Sequence, residues 1–108
     1  MQTMTGTDDL PLPEAAGADD WEDHNGQHFR LISSTCRGID SRPDVILYAS
    51  AVQLADGSID NGNQIEQPVL YIDVKEERGL TAVQARALGT ALVNAAARLD
   101  RWQQFTPV

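Results

Sequence analysis

Cysteine is almost missing from this chain: Cys36 stands alone among 108 residues. A single thiol excludes an internal disulfide framework and fits a protein kept in a reducing cytoplasm. Lysine is just as scarce, with Lys75 set against seven arginines, and alanine is abundant. That bias fits a GC-rich genome and bears on origin, not on mechanism. Long apolar runs are absent too. The strongest, residues 45–49, falls far short of the roughly 20 residues a spanning helix needs. No charged-then-apolar amino terminus reads as a secretory signal. Phosphate loops, dinucleotide fingerprints and internal repeats are missing as well. These absences predict a cytoplasmic protein with no membrane partner and no cofactor.

Positive charge is absent from one whole stretch. The net charge is −8, and residues 1–23 hold seven of the 16 acids, Asp8, Asp9, Glu14, Asp19, Asp20, Glu22 and Asp23, with no basic residue. The nine acids that remain face eight bases, so the rest of the chain is nearly neutral. Residues 1–23 are otherwise rich in Gly, Thr, Ala and Pro, with few large apolar side chains. Such a composition cannot offset its ordering entropy by burial, which predicts a disordered acidic tail. Leu10, Leu12 and Trp21 are the exceptions. Trp21 among Asp19, Asp20 and Asp23 makes a candidate partner-binding segment, against the plainer reading of a solubilising tail.

What remains, residues 24–108, is enough for one domain. Residues 80–103 carry its clearest pattern. Ala85, Leu88, Leu92, Ala95, Leu99 and Trp102 recur at spacings of three and four, the period of one buried helical face. Thr81 and Gln84 fit a capping box, and Leu80 is placed for a hydrophobic staple on Ala85. Pro107 ends any continuation.

Ahead of that helix the pattern changes period. Residues 29–35 alternate as a short strand. Residues 45–54 are apolar on both faces, which predicts a central strand. Asp56-Gly57 and Asn61-Gly62 mark one long hairpin loop, and residues 69–75 alternate cleanly. The expectation is therefore α+β: a three-stranded antiparallel sheet, β-β-β-α, covered on one face by the C-terminal helix. With the helix on one face, Val45, Leu47, Val69 and Tyr71 are expected on the bare one. A second apolar feature is the helix stripe Ala82, Gly89 and Ala96, with Val83 and Val93 beside it. Its plain reading is packing on the chain's own sheet; its sharper reading is a dimer contact. Together these make Ala82, Gly89, Val93, Ala96, Val45, Leu47 and Tyr71 the candidate homodimer residues.

Candidate chemistry is thin. His24, His28 and Cys36 are potential metal ligands, yet Asn25-Gly26 argues against a helix that would align the histidines, and no Cys-x-x-Cys is present. Cys36 beside Arg37 lacks a nucleophile motif and an oxyanion hole. Asn94, Arg98 and Arg101 form a narrow basic strip where a nucleic-acid binder normally shows a broad field.

The segment Leu80-Thr81-Ala82-Val83-Gln84-Ala85-Arg86-Ala87-Leu88-Gly89, running on through Ala96, resembles the closing motif of a group of short actinobacterial and actinophage proteins. That motif reads Leu-Thr-x-x-Gln-Ala-Arg-x-Leu. Val69-Leu70-Tyr71-Ile72 matches the group's preceding strand. Trp21, His24 and His28 are similar to its amino-terminal Trp-Cys…His…His element, with Glu22 where that cysteine stands. The resemblance implies an actinobacterial or phage origin and no known activity. The expected role is a non-enzymatic protein-binding or regulatory module, a homodimer with another protein as partner. The alternative is a nucleic-acid-associated accessory factor, or a DNA mimic through the acidic tail.

Overall fold

The structure, a computed structural model, describes residues 10–107. Its frame is an antiparallel sheet of five strands and one helix: β1 (Gly17–Ala18), β2 (Glu22–His24), β3 (Gln27–Cys36), β4 (Val45–Leu54), β5 (Val69–Val74) and α1 (Ala82–Gln103). β3, β4 and β5 lie side by side, and β1 and β2 both pair with the far side of β3. The α+β class and the terminal helix match the sequence expectation. The strand count does not.

β4 is central because both its faces are apolar. It runs between β3, in the register Cys36↔Leu47 to Phe29↔Leu54, and β5, in the register Val45↔Val74 to Ser50↔Val69. Residues opposite each other share a face. Ile32, Ser34 and Cys36 of β3 therefore lie with Leu47, Ala49 and Ala51 of β4 on the side that α1 covers. Ala91, Ala95 and Trp102 of the helix close this core, with Leu88, Leu92 and Leu99 packed at its margin. The capping box forms as expected: Thr81 Oγ1 accepts from the Gln84 amide at 3.1 Å, and Gln84 Oε1 accepts from the Thr81 amide at 3.0 Å.

The helix side of β4 corrects one expectation. Val45 and Leu47, assigned to a bare face and to a dimer contact, are 4% and 0% exposed beneath the helix layer. A strand apolar on both faces does not reveal which face a helix will cover. The uncovered face instead carries Ile46, Tyr48, Ser50, Val69 and Tyr71, with Tyr48 and Tyr71 stacked at 5.1 Å between centroids. Its far end is closed by Phe29, Val52 and Leu54, with Ile65 packed against them.

The larger correction concerns the leader. Asp8 and Asp9 lie outside the described residues, but residues 10–23 are part of the fold. β1 pairs Gly17 with Ser33 and Ala18 with Ile32, and β2 pairs Glu22 with Phe29. Asn25 (φ 51°) and Gly26 (φ 79°) make the tight turn from β2 into β3, the left-handed geometry that Asn-Gly favours. The physical reason is polar, not apolar. Arg30 and Gln53 are buried and bonded to each other at 2.7 Å. They need acceptors, and the leader's main chain supplies them: Leu10 O for Arg30 at 3.1 Å and Pro11 O for Gln53 at 2.8 Å. Glu14 adds two ties, accepting from Trp102 Nε1 through its main-chain oxygen at 3.0 Å and pairing with Arg101 through its carboxylate. Side-chain composition counts apolar burial and overlooks carbonyls that satisfy buried donors.

Two further polar anchors fix the loops. The Arg42 guanidinium forks onto both Asp44 oxygens at 2.8 and 2.9 Å and reaches Gly79 O at 2.9 Å, joining the β3–β4 loop to the turn before α1. Asp60 accepts from the amides of Gly62, Gln64, Ile65 and Glu66, so its carboxylate organises the β4–β5 connection. Gly57, at φ 91°, lies where an added Cβ would meet Pro107 at 2.6 Å, so Pro107 closes on this loop.

Candidate interaction surface

The candidate ligands of a metal site are not assembled. His24 and His28 flank the β2–β3 turn, and Cys36 lies eight residues beyond His28 at the other end of β3, about 26 Å along an extended strand. Among the described residues no three His, Cys, Asp or Glu side chains come together to hold a metal. His28 is engaged otherwise, its Nδ1 2.9 Å from Asp23 and its ring stacked on Trp21 at 4.9 Å. Cys36 is buried beneath Arg98, whose Nη1 lies 3.8 Å from the sulfur.

Trp21, the anchor of the expected acidic recognition segment, is folded onto β3. His28 stacks on it, and the Arg30 guanidinium sits 4.7 Å from its ring centroid. This pairing of cation and ring fixes the corner where β2 begins. Asp19 and Asp20 are exposed beside it, and the Asp19 amide bonds Leu31 O at 2.9 Å.

The basic strip on α1 is also committed internally. Arg98 donates to Ser34 Oγ at 2.7 Å and to Thr35 O at 3.2 Å, and Arg101 pairs with Glu14. The Arg101 hydrogen bond and charge hold the Glu14 carboxyl below its ordinary value. Between α1 and the β3–β4 loop runs a groove of about 400 Å³, lined by Arg37, Ile39 and Asp40 on one side and Ala87, Thr90 and Asn94 on the other. Arg37 and Asp40 approach each other across 3.5 Å of its rim.

The small-residue stripe faces away from the sheet. Ala82, Gly89 and Ala96 are exposed, and a Cβ added at Gly89 would meet no heavy atom within 4 Å among the described residues. The plain reading, packing on the chain's own sheet, is therefore corrected. Val83 and Val93 are exposed as well, at 73% and 70%.

The arrangement that sequence reasoning missed is the β5 edge. Leu70, Ile72 and Val74 share the helix face, as their alternation predicts, yet Ile72 and Val74 are 50% and 48% exposed. α1 packs on β5 as well as on β4, yet one helix about 10 Å wide spans roughly two strands about 4.8 Å apart, so the outer flank of β5 stays half open. Its main chain is open too. Lys75 N bonds Asp44 O at 3.0 Å, which makes Asp44↔Lys75 a hydrogen-bonded pair in the β4–β5 register. Bonded and non-bonded pairs alternate in an antiparallel ladder. Asp73, Tyr71 and Val69 therefore bond to β4, and the N–H and C=O groups of Leu70, Ile72 and Val74 point outward. Among the described residues β5 pairs with β4 alone. The signal in the sequence is arithmetic: a single helix has no second helix beside it to cover the outer flank of an edge strand.

No family model, no curated protein and no solved structure matches this chain.

Proposed function

We propose that this chain is a small, non-enzymatic protein-binding or regulatory module that docks through the open edge of β5. One observation carries the reading: three outward-facing backbone positions, Leu70, Ile72 and Val74, all carry large aliphatic side chains, and those of Ile72 and Val74 are left half exposed. Unpaired strand edges are templates for another strand, and proteins usually blunt them with charge, proline or cover. This edge has aliphatic side chains at all three outward positions. Its charged residues, Asp73 and Lys75, are paired with each other at 2.8 Å and belong to the bonded side.

The nucleic-acid reading loses support from the committed arginines, since Arg98 and Arg101 already bond within the chain. The lone buried thiol of Cys36 supports a reducing cytoplasm, and the resemblance of residues 80–96 to actinobacterial and actinophage proteins supports an origin there. Among the described residues no helix is long and apolar enough to cross a membrane.

The test is capture from an actinobacterial lysate by the wild-type chain and by Ile72→Lys. Loss of the captured species with the variant is expected. Equal recovery by both, with the variant folded, removes the edge from the proposal.

A further inference from the structure

We infer that the occupant of the β5 edge is a second copy of this chain, joined edge to edge in the register that sets Ile72 against the partner's Ile72. This rests on the reading of β5 as a docking edge and names what docks there. A two-fold axis normal to the sheet brings two such strands together antiparallel, and a contact of this isologous kind closes after two copies.

The residues of β5 select one register. Inter-strand bonds form only where the outward positions 70, 72 and 74 oppose one another. Shifted one step toward the start of the strand, Val74 meets the partner's Pro68, which has no N–H to give. Shifted one step the other way, Asp73 meets the partner's Asp73, and like charges directly opposite are destabilising. The register between them avoids both. Leu70 then faces the partner's Val74, Ile72 faces itself across the axis, and Asp73 faces the partner's uncharged Tyr71. All three outward residues bond, and the aliphatic side chains pair on the helix face.

The helix layer fits the same geometry. α1 packs on both β4 and β5, so in the joined sheet the two helices lie about two strand spacings apart. That is about 10 Å, close to the 8–10 Å of packed helices. Ala87, Thr90 and Asn94 face the groove on one flank of α1. At 3.6 residues per turn the opposite flank is Ala85, Leu92 and Ala96, with Gly89 beside them. These side chains are small or apolar, so two helices can approach at that spacing. The space left open at Gly89 is where the partner helix comes, and it accounts for a glycine that otherwise weakens the helix.

The test is mass in solution and amide exchange on the full chain. Wild type is expected at twice the 11.8 kDa chain mass. Ile72→Lys, at a half-exposed position the fold tolerates, is expected at the single mass with an unchanged far-ultraviolet spectrum. The Leu70, Ile72 and Val74 amides should be protected in wild type and lose that protection in the variant. Gly89→Leu, which the single chain accommodates, should weaken the dimer without unfolding it. A wild type that stays monomeric overturns the inference, and so does a dimer that survives Ile72→Lys or leaves those three amides freely exchanging. Protection of the amides in a monomer would assign the edge to another segment of the same chain and overturn it equally. Monomeric wild type whose lysate partner is still lost with Ile72→Lys would remove the second copy alone, leaving the protein-binding reading in place.

Discussion

Trp102 donates its indole N–H to the main-chain oxygen of Glu14 at 3.0 Å, joining the last turn of the helix to a residue 88 positions earlier. The indole is fully buried, so this acceptor is its route to a satisfied donor. The leader is in this sense the lid of the core.

Deleting residues 1–23 should therefore destabilise the domain. Arg30, Gln53 and Trp102 would each lose an acceptor supplied by residues 10–14, and an orphaned buried donor costs about 1–3 kcal/mol. Urea unfolding of the truncated chain is expected to show a clearly lower midpoint. An unchanged midpoint would return these residues to the status of a solubilising tail.

Acid should weaken the fold in a definite window. The Arg42 hydrogen bonds and charge hold the Asp44 carboxyl down at about 2. Its pKa is depressed on folding, so its contribution is fully present above the ordinary aspartate value of about 3.9. It is lost as the pH falls from there through the folded value. Glu14, held down by Arg101, acts in the same direction. Thermal midpoints should fall between about pH 4 and pH 2. Asp44→Asn should flatten that slope in part, and an identical profile for the variant would show that the fork is not its source.

Asp60→Ala should loosen the β4–β5 connection selectively. Burial works to raise the Asp60 carboxyl, and bonds from four amides outweigh it, so the net direction is down. Hydrogen bonds to a charged group contribute about 1.5–3 kcal/mol. Amide exchange at Gly62, Gln64, Ile65 and Glu66 is expected to accelerate well beyond that of the helix. Asp60→Asn should fall between, because its single oxygen still accepts while its NH2 faces amides that also donate. Uniform acceleration across the chain would instead mean that the loop and core open together.

Gly89→Ala should stabilise the single chain. The position is helical with open space around it, and alanine there gains about 0.5–1 kcal/mol. Measured in the Ile72→Lys background, the urea midpoint is expected to rise. A fall would mean that Gly89 is crowded by the chain itself.

The sequence made α1 legible because every local signal agreed: cap, period and propensity all pointed one way. β4 is legible as central for a related reason, since apolar residues on both faces suit a strand with neighbours on both sides. The orientation of β4 is not legible, because both its faces are apolar and Val45 and Leu47 fit either layer. Asn25-Gly26 carries a readable signal, the two-residue hairpin turn, which argues against a helix and equally for the β2–β3 strand pair. The ordering of residues 10–23 was hidden because it depends on Leu10, Pro11 and Glu14 carbonyls meeting Arg30, Gln53 and Trp102, pairings set by tertiary contact. At the β5 edge the alternation of Leu70, Ile72 and Val74 is legible, but the half-exposure of Ile72 and Val74 is not, because α1 packs on β5 without covering its outer flank.

Cys36 lies under the helix at the margin of the main core, 7% exposed, and it is the chain's single sulfhydryl. It also lines a surface pocket beside Arg98 and Ala95, so a small thiol reagent meets it where α1 and β3 part. Its alkylation rate in native buffer, set against the rate in the unfolded chain, therefore reports how tightly α1 and Arg98 cover it.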